Sequence, residues 1–309
     1  MSPERLQRAP RREDLVNVLE FEDVARLKLP PAVYSTIAGS DRAAFDLITF
    51  RPRVLVPMPN LDLTVELFGV QHFTPILVGP VADQGRFHPD GELAMVRGAS
   101  AAQATAIVGS RSSVPIDALA AESKTPLWYS VYAEDAPAAA SQVQQAVGAG
   151  CRVIFITSRS QVDWKAIDTI RKGVTAPIVI KGVMDDHEAT TAIERGIAGI
   201  VVSNHGDMTP QSRAPIDVLA SIADIVRNRA VLLVDGSFRR GSDILKGLVL
   251  GAQGILLARP VMWGLAGYGA GGVQGVIEML QSDLARHMGA LGAENVKGLD
   301  RRMIRIHKR

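Results

Sequence analysis

The chain has 309 residues, 47% of them hydrophobic and 21% charged, with a formal net charge of +2 at pH 7. Length and apolar share suit one large domain with a sizeable core, and the charge balance is too even to argue for a nucleic-acid partner. No apolar run reaches the roughly 20 residues of a membrane span, and one cysteine, Cys151, excludes an internal disulfide or a cysteine-built metal site.

Residues 1–14 carry Arg5, Arg8, Arg11 and Arg12 around Pro3 and Pro10, interspersed with Glu4, Glu13 and Asp14. The acids and the missing apolar face argue against a transit peptide, and the stretch reads as a disordered basic tail. A helix is predicted over Leu15–Leu29. Short apolar or β-rich runs then recur at Pro75–Pro80, Ala104–Ser110, Leu127–Tyr132, Arg152–Thr157, Pro177–Gly182, Gly199–Asn204, Ala230–Gly236 and Gly254–Arg259. Between them, amphipathic stretches end in glycine before the next strand: Ala136–Val147, Trp164–Lys172, His187–Arg195 and Asp243–Leu250. A last helix is predicted over Val273–His287.

Runs such as Val153-Ile154-Phe155-Ile156 are continuously apolar rather than alternating, as expected of parallel strands buried on both faces under crossover helices. Eight such units closing on themselves make an α/β fold of the (β/α)8 TIM-barrel type with an N-terminal helical extension, spanning 15–309 as one domain. An open doubly wound sheet is the alternative, because a count of units does not prove closure. Cys151 opens a strand and reads as a small buried hydrophobe; together with the absence of disulfides it fits a reducing, cytoplasmic setting.

On a barrel, chemistry gathers at the strand C-termini. That rim collects Gly79, Val81, Ser110, Ser130, Tyr132, Thr157, Arg159, Lys181, Ser203, His205, Asp235, Gly236, Arg239 and Arg259. Lysine, histidine and two arginines near the last strands suit a phosphorylated cofactor. Two tempting motifs are set aside. Gly267-x-Gly269-x-x-Gly272 does not join a strand to a helix and is expected in the loop before the last helix. Asp185-Asp186-His187-Glu188 reads as a helix start rather than a metal cluster, and no metal is expected.

The segments Ile180-Lys181-Gly182-Val183, Val202-Ser203-Asn204-His205-Gly206, Val234–Asp243 and Ala258-Arg259-Pro260-Val261 resemble, in order and spacing, the FMN-dependent α-hydroxy-acid oxidase and dehydrogenase family. Leu29-Pro30-Pro31, Arg51–Leu55 and His88–Glu92 extend the likeness into the N-terminal half. The resemblance implies FMN as cofactor, a small-molecule substrate, and a homo-oligomer, a tetramer by the family's habit. It also implies catalytic roles for His205, as the base that takes a proton while a hydride equivalent reaches flavin N5, for Tyr132 and for Lys181. FMN contacts are implied at Gly79, Val81, Ser110, Ser130, Thr157, Lys181, Ser203, Asp235, Gly236, Ser237, Arg239, Ala258 and Arg259. Ser130 stands where the family has a glutamine, and Ser237 and Ala258 stand where it has glycines.

The family's carboxylate clamp is missing. Its arginine after the His-Gly is replaced by Asp207-Met208, its substrate tyrosine aligns with Thr36, and the acid that steadies its histidine is replaced by Arg159. The long excursion after the fourth strand is cut to Ser158–Asp163. Tyr34, Arg159 and Arg213 are therefore candidate substitutes for the anchor. Three functions stay open: an FMN oxidoreductase with a changed substrate, a non-catalytic flavin-binding accessory protein, and a phosphate-binding barrel of isomerase or synthase type.

Overall fold

The computed structural model describes residues 9–39, 42–52, 60–158, 162–207, 209 and 212–307. Arg53–Leu55, Arg159 and Met208 lie outside the described residues.

Eight parallel strands close into a barrel: β4 (Ile76–Val78), β5 (Ala106–Gly109), β6 (Leu127–Tyr132), β7 (Ile154–Thr157), β8 (Ile178–Val183), β9 (Gly199–Val202), β10 (Val231–Val234) and β11 (Gly254–Leu257). Closure comes from β11 pairing with β4, Ile255 opposite Ile76, which rules out the open sheet. Seven predicted runs contain their strand whole, and β8 runs one residue past the predicted end at Gly182. Their alternate side chains fill two compartments. Leu77, Ile107, Trp128, Phe155, Val179, Val201, Leu233 and Leu256 pack inside the barrel, while their neighbours face the surrounding helices.

Three short strands precede the barrel. β1 (Ile48–Phe50) pairs antiparallel with β12 (Ile304–Ile306) and ties the two ends of the domain together. β2 (Val65–Leu67) and β3 (Val70–His72) form a hairpin whose Leu67 and Phe68 close the barrel floor against Trp128. Gly199 is part of that closure, since a Cβ there would meet the Phe68 ring at 2.9 Å.

The helices form where the caps permit. α1 (Val18–Lys28) starts at Asn17, whose side chain accepts from Leu19 N. Two short helices follow, α2 (Pro31–Tyr34) and α3 (Ala43–Asp46), and then α4 (Gly91–Ala101) and α5 (Ile116–Glu122). Asp135 caps α6 (Ala136–Gly148), Asp163 caps α7 (Trp164–Arg171), and Asp185 caps α8 (Asp186–Glu194) by accepting from Glu188 N at 2.8 Å. α9 (Pro215–Val226) and α10 (Gly241–Val249) complete the outer ring.

Two expectations are corrected. The tail does not extend to residue 14: Arg12–Asp14 form a turn of 3-10 helix, Arg12 donates to Gly271 O at 2.9 Å, and Tyr268 Oη donates to Pro10 O at 2.6 Å. The glycine triplet is not in a loop either. α11 runs from Arg259 to Leu291, kinked at Tyr268 and Gly269 where the backbone leaves helical angles. Side chains at Gly264 or Gly272 would strike the facing backbone across that kink, so these glycines serve close packing. The consequence for function is that Arg259 begins a helix directly at the end of β11.

Candidate active site

The C-terminal mouth of the barrel holds a cavity of about 360 Å³. Gly79, Val81, Tyr132, Thr157, Lys181, His205, Asp235, Gly236, Ser237, Arg239, Ala258 and Arg259 line it. Register explains part of this gathering: Tyr132 pairs with Thr157 and Thr157 with Lys181, so three neighbouring strand ends present side chains side by side.

Lys181 is almost enclosed. Its Nζ lies 2.7 Å from Asp235 Oδ2 and donates to Ser203 Oγ at 2.7 Å. Ser203 is fully buried and its hydroxyl also accepts from His205 N at 3.2 Å, so one side chain fixes both the lysine and the histidine backbone. The other oxygen of Asp235, Oδ1, is buried with no hydrogen-bond partner among the described residues.

His205 sits in left-handed backbone, φ 57, just past β9. Its Nε2 lies 2.6 Å from Ser158 O. A carbonyl only accepts, so Nε2 carries the hydrogen, and the nitrogen able to take a proton is Nδ1. Room for the ring comes from Gly182, which has φ +120 beside a shift in the β8–β9 register; a Cβ there would approach His205 Nε2 to 2.7 Å. Gly206 clears the other side, where a Cβ would meet Arg259 Nη2 at 3.1 Å.

Two arginines form the opposite wall. Arg239, only 4% exposed, donates to Phe238 O and to Gly39 O and stacks on Trp263, yet its buried Nε has no partner among the described residues. Burial first, then Arg259, push its guanidinium down to about 9, with Glu22 and Asp243 opposing. Burial likewise lowers Arg259, opposed by Asp235 and Glu22. Arg259 donates to the same Gly39 carbonyl at 3.1 Å. Asp243 is fully buried: it pairs with Arg42 at 2.7 Å and accepts from the backbone N–H groups of Arg239 and Arg240 at 3.0 Å, which sets the course of this loop. Two desolvated cations at the N-terminus of α11 make a site that an anion would relieve.

Other expected residues sit behind or beside the cavity. Ser130 is buried and 3.1 Å from Thr157 Oγ1, and Ser110 N donates to Ser130 O. Tyr34 is not at the cavity: its hydroxyl donates to Glu22, while Thr36, two residues on, lines the wall with Ser35, Ile37 and Ala38. Arg213 is exposed and not among the lining residues, and its carbonyl accepts from Asn204 Nδ2. Both are thus corrected as anchors. The sequence reading missed Arg86, which lines the mouth, and Glu22, the carboxylate behind the arginine wall. Arg86 had one available signal, a cation four residues past the first strand-end loop.

Comparison with known proteins agrees with this geometry. The family model described as FMN-dependent dehydrogenase matches residues 35–158 and 157–306, two pieces that meet at the end of β7. The chain is 30% identical to a peroxisomal (S)-2-hydroxyacid oxidase of Arabidopsis thaliana, covering 95% of this chain and 97% of that protein. It is 30% identical to 4-hydroxymandelate oxidase of Amycolatopsis orientalis, covering 93% and 97%. Among solved structures, mandelate oxidase with (S)-2-phenylpropionate superposes with a TM-score of 0.89 at 30% identity, covering 95% of this chain and 99% of that one. The Arabidopsis alignment runs over 352 residues against a chain of 309, so that relative carries segments this chain lacks.

Proposed function

This chain belongs to the FMN-dependent dehydrogenase family and is an FMN-dependent oxidoreductase, and we propose that it oxidises a 2-hydroxy acid whose carboxylate is anchored differently from that of its relatives. One observation carries the reading: Lys181, His205, Tyr132 and the Arg239–Arg259 wall open on a single cavity.

The donor set fits the cofactor. The unpartnered Nε of Arg239 and the desolvated Arg259 call for a phosphate, and the amides of the loop after β10 would complete its cradle. Gly79, Val81, Ser110, Ser130, Thr157, Lys181, Ser203, Asp235, Gly236, Ser237 and Ala258 would hold the rest of the molecule. FMN, when bound, supplies the two-electron acceptor. Lys181, oriented by Asp235 and Ser203, keeps a fixed positive charge in the cavity, the kind of preorganised electrostatics that favours developing negative charge. His205 takes the substrate hydroxyl proton on Nδ1 while Ser158 O steadies Nε2–H, and Tyr132 hydrogen-bonds the substrate oxygen.

Met208 in place of the clamping arginine, with the six-residue connection from β7 to α7, supports a changed anchor. The assay is anaerobic mixing of the FMN-loaded protein with lactate, glycolate and mandelate. Bleaching of the flavin that disappears in His205→Ala is the expected result. A protein that neither takes up FMN nor quenches its fluorescence would overturn the reading at its root. Met208→Arg should tighten binding of simple 2-hydroxy acids. Among the described residues no helix is long and apolar enough to cross a membrane. Cys151 is buried, with its thiol pushed up to about 12 by burial, and we place the enzyme in a reducing compartment such as the cytoplasm.

A further inference from the structure

Of the described cations that line the cavity, Lys181 is committed to Asp235, and Arg239 and Arg259 both donate to Gly39 O beneath the N-terminus of α11. Arg86 is different. It lines the mouth from the loop after β4, its guanidinium rests over the Phe87 ring at 4.8 Å, and it makes no ion pair with a described residue. From the next loop, after β5, Arg111 lays its guanidinium over the ring of Tyr132 at 4.3 Å, and it too has no ion pair among the described residues. Tyr132 itself lines the cavity, so this second cation stands over the ring that the proposed substrate oxygen meets.

The two loops are fastened to each other. Asp83 N donates to Arg111 O at 2.9 Å. Glu92, 1% exposed at the start of α4, accepts from Gln84 N in one loop and from Ser113 N and Ser113 Oγ in the other. A buried carboxylate with three donors from both loops holds the backbones that carry Arg86 and Arg111 in a fixed relation. Two surface arginines are thus held in relation to one opening, Arg86 lining it and Arg111 over the Tyr132 ring that lines it. Guanidinium groups resting on aromatic faces keep their N–H edges for a ligand and lose little freedom on binding one.

We propose that Arg86 and Arg111 form the substrate's carboxylate anchor, gripping it from the mouth of the cavity in place of the family's arginine at position 208. The proposal rests on the reading of the cavity as a 2-hydroxy-acid site. It predicts an anionic substrate held at the rim, with the hydroxyl end directed inward toward His205 and Tyr132.

The test uses the FMN-loaded protein and two 2-oxo acids, pyruvate and benzoylformate, titrated by the perturbation of flavin absorbance, with their methyl esters as neutral controls. Arg86→Met and Arg111→Met should each raise the carboxylate Kd by about 10-fold, and the double variant by more, while leaving the esters and FMN affinity unchanged. Arg111→Lys should recover part of the loss. The proposal is overturned if the double variant binds both acids as the unmodified protein does. It is equally overturned if esters and acids weaken together, because that marks a structural role for Arg111 in holding Tyr132. No response to either acid, together with no reduction by any 2-hydroxy acid, would remove the underlying functional reading as well. Loss of carboxylate binding with bleaching retained in the unmodified protein separates the two.

Discussion

Replacing Lys181 by methionine probes the ion pair at the centre of the cavity. The substitution removes Nζ from Asp235 Oδ2 and from Ser203 Oγ, both at 2.7 Å, in a place where the two charged side chains are 8% and 15% exposed. Asp235 Oδ1 has no hydrogen-bond partner among the described residues, so the carboxylate would lose its pairing with Lys181 and keep only the weaker field of Arg259. Breaking one side of such a pair costs about 3–5 kcal/mol, far more than removing a surface bridge. For a chain of this size that corresponds to a fall in Tm of roughly 5–8 °C, measured by calorimetry on protein free of FMN. The double variant Lys181→Met with Asp235→Leu removes both charges and fills the space, and should recover most of the loss. A double variant that loses as much as the two single variants added together would refute the reasoning, since the charges would then be independent.

Three further outcomes are expected. Ser237 adopts left-handed backbone at φ 60, so Ser237→Gly should stabilise the protein by about 1 kcal/mol in chemical denaturation; a loss of stability would show that the hydroxyl matters more than the strain. Burial lowers the pKa of His72, which lies beneath the barrel floor, from its ordinary 6.5. The unfolded chain therefore binds a proton that the folded chain refuses, and stability should fall as pH drops below about 6.5; His72→Gln should flatten that slope, and an unchanged slope would remove His72 as its source. Gly182→Ala should displace the His205 ring from Ser158 O and strain a φ of +120, costing about 2–3 kcal/mol and most of the turnover. A variant with unaltered melting and rate would mean that the imidazole is not held as described.

The barrel was readable because its strands are continuously apolar and its helices end in glycine, signals that depend only on local burial and local turns. The floor was not. β2 and β3 have three residues each, too few for an alternating pattern, and their role rests on Phe68 reaching Trp128 some sixty positions later. The residues lining the cavity mouth were readable wherever a side chain follows a strand, because strand direction sends it to the mouth. Tyr34 failed for the complementary reason: it lies in a helical turn, where a residue two places away points to a different side, so Thr36 reaches the cavity and Tyr34 reaches Glu22. The start of α11 was hidden by its glycines. Composition marks them as loop formers, whereas the fold uses their missing side chains to bring helix against helix.

The shortened connection after β7 bears on how His205 is held. Ser158 N still donates to Lys181 O, so the first residue beyond the strand stays in the ladder, and its carbonyl is thereby aimed at His205. Asp163 caps α7 only five residues later. The connection from Thr157 to Trp164 therefore has six residues in which to leave the barrel and begin the helix. The Ser158 carbonyl, a backbone dipole, orients the ring through Nε2–H. On the same rim, the loops after β4 and β5 carry the two guanidinium groups that stand over their aromatic rings.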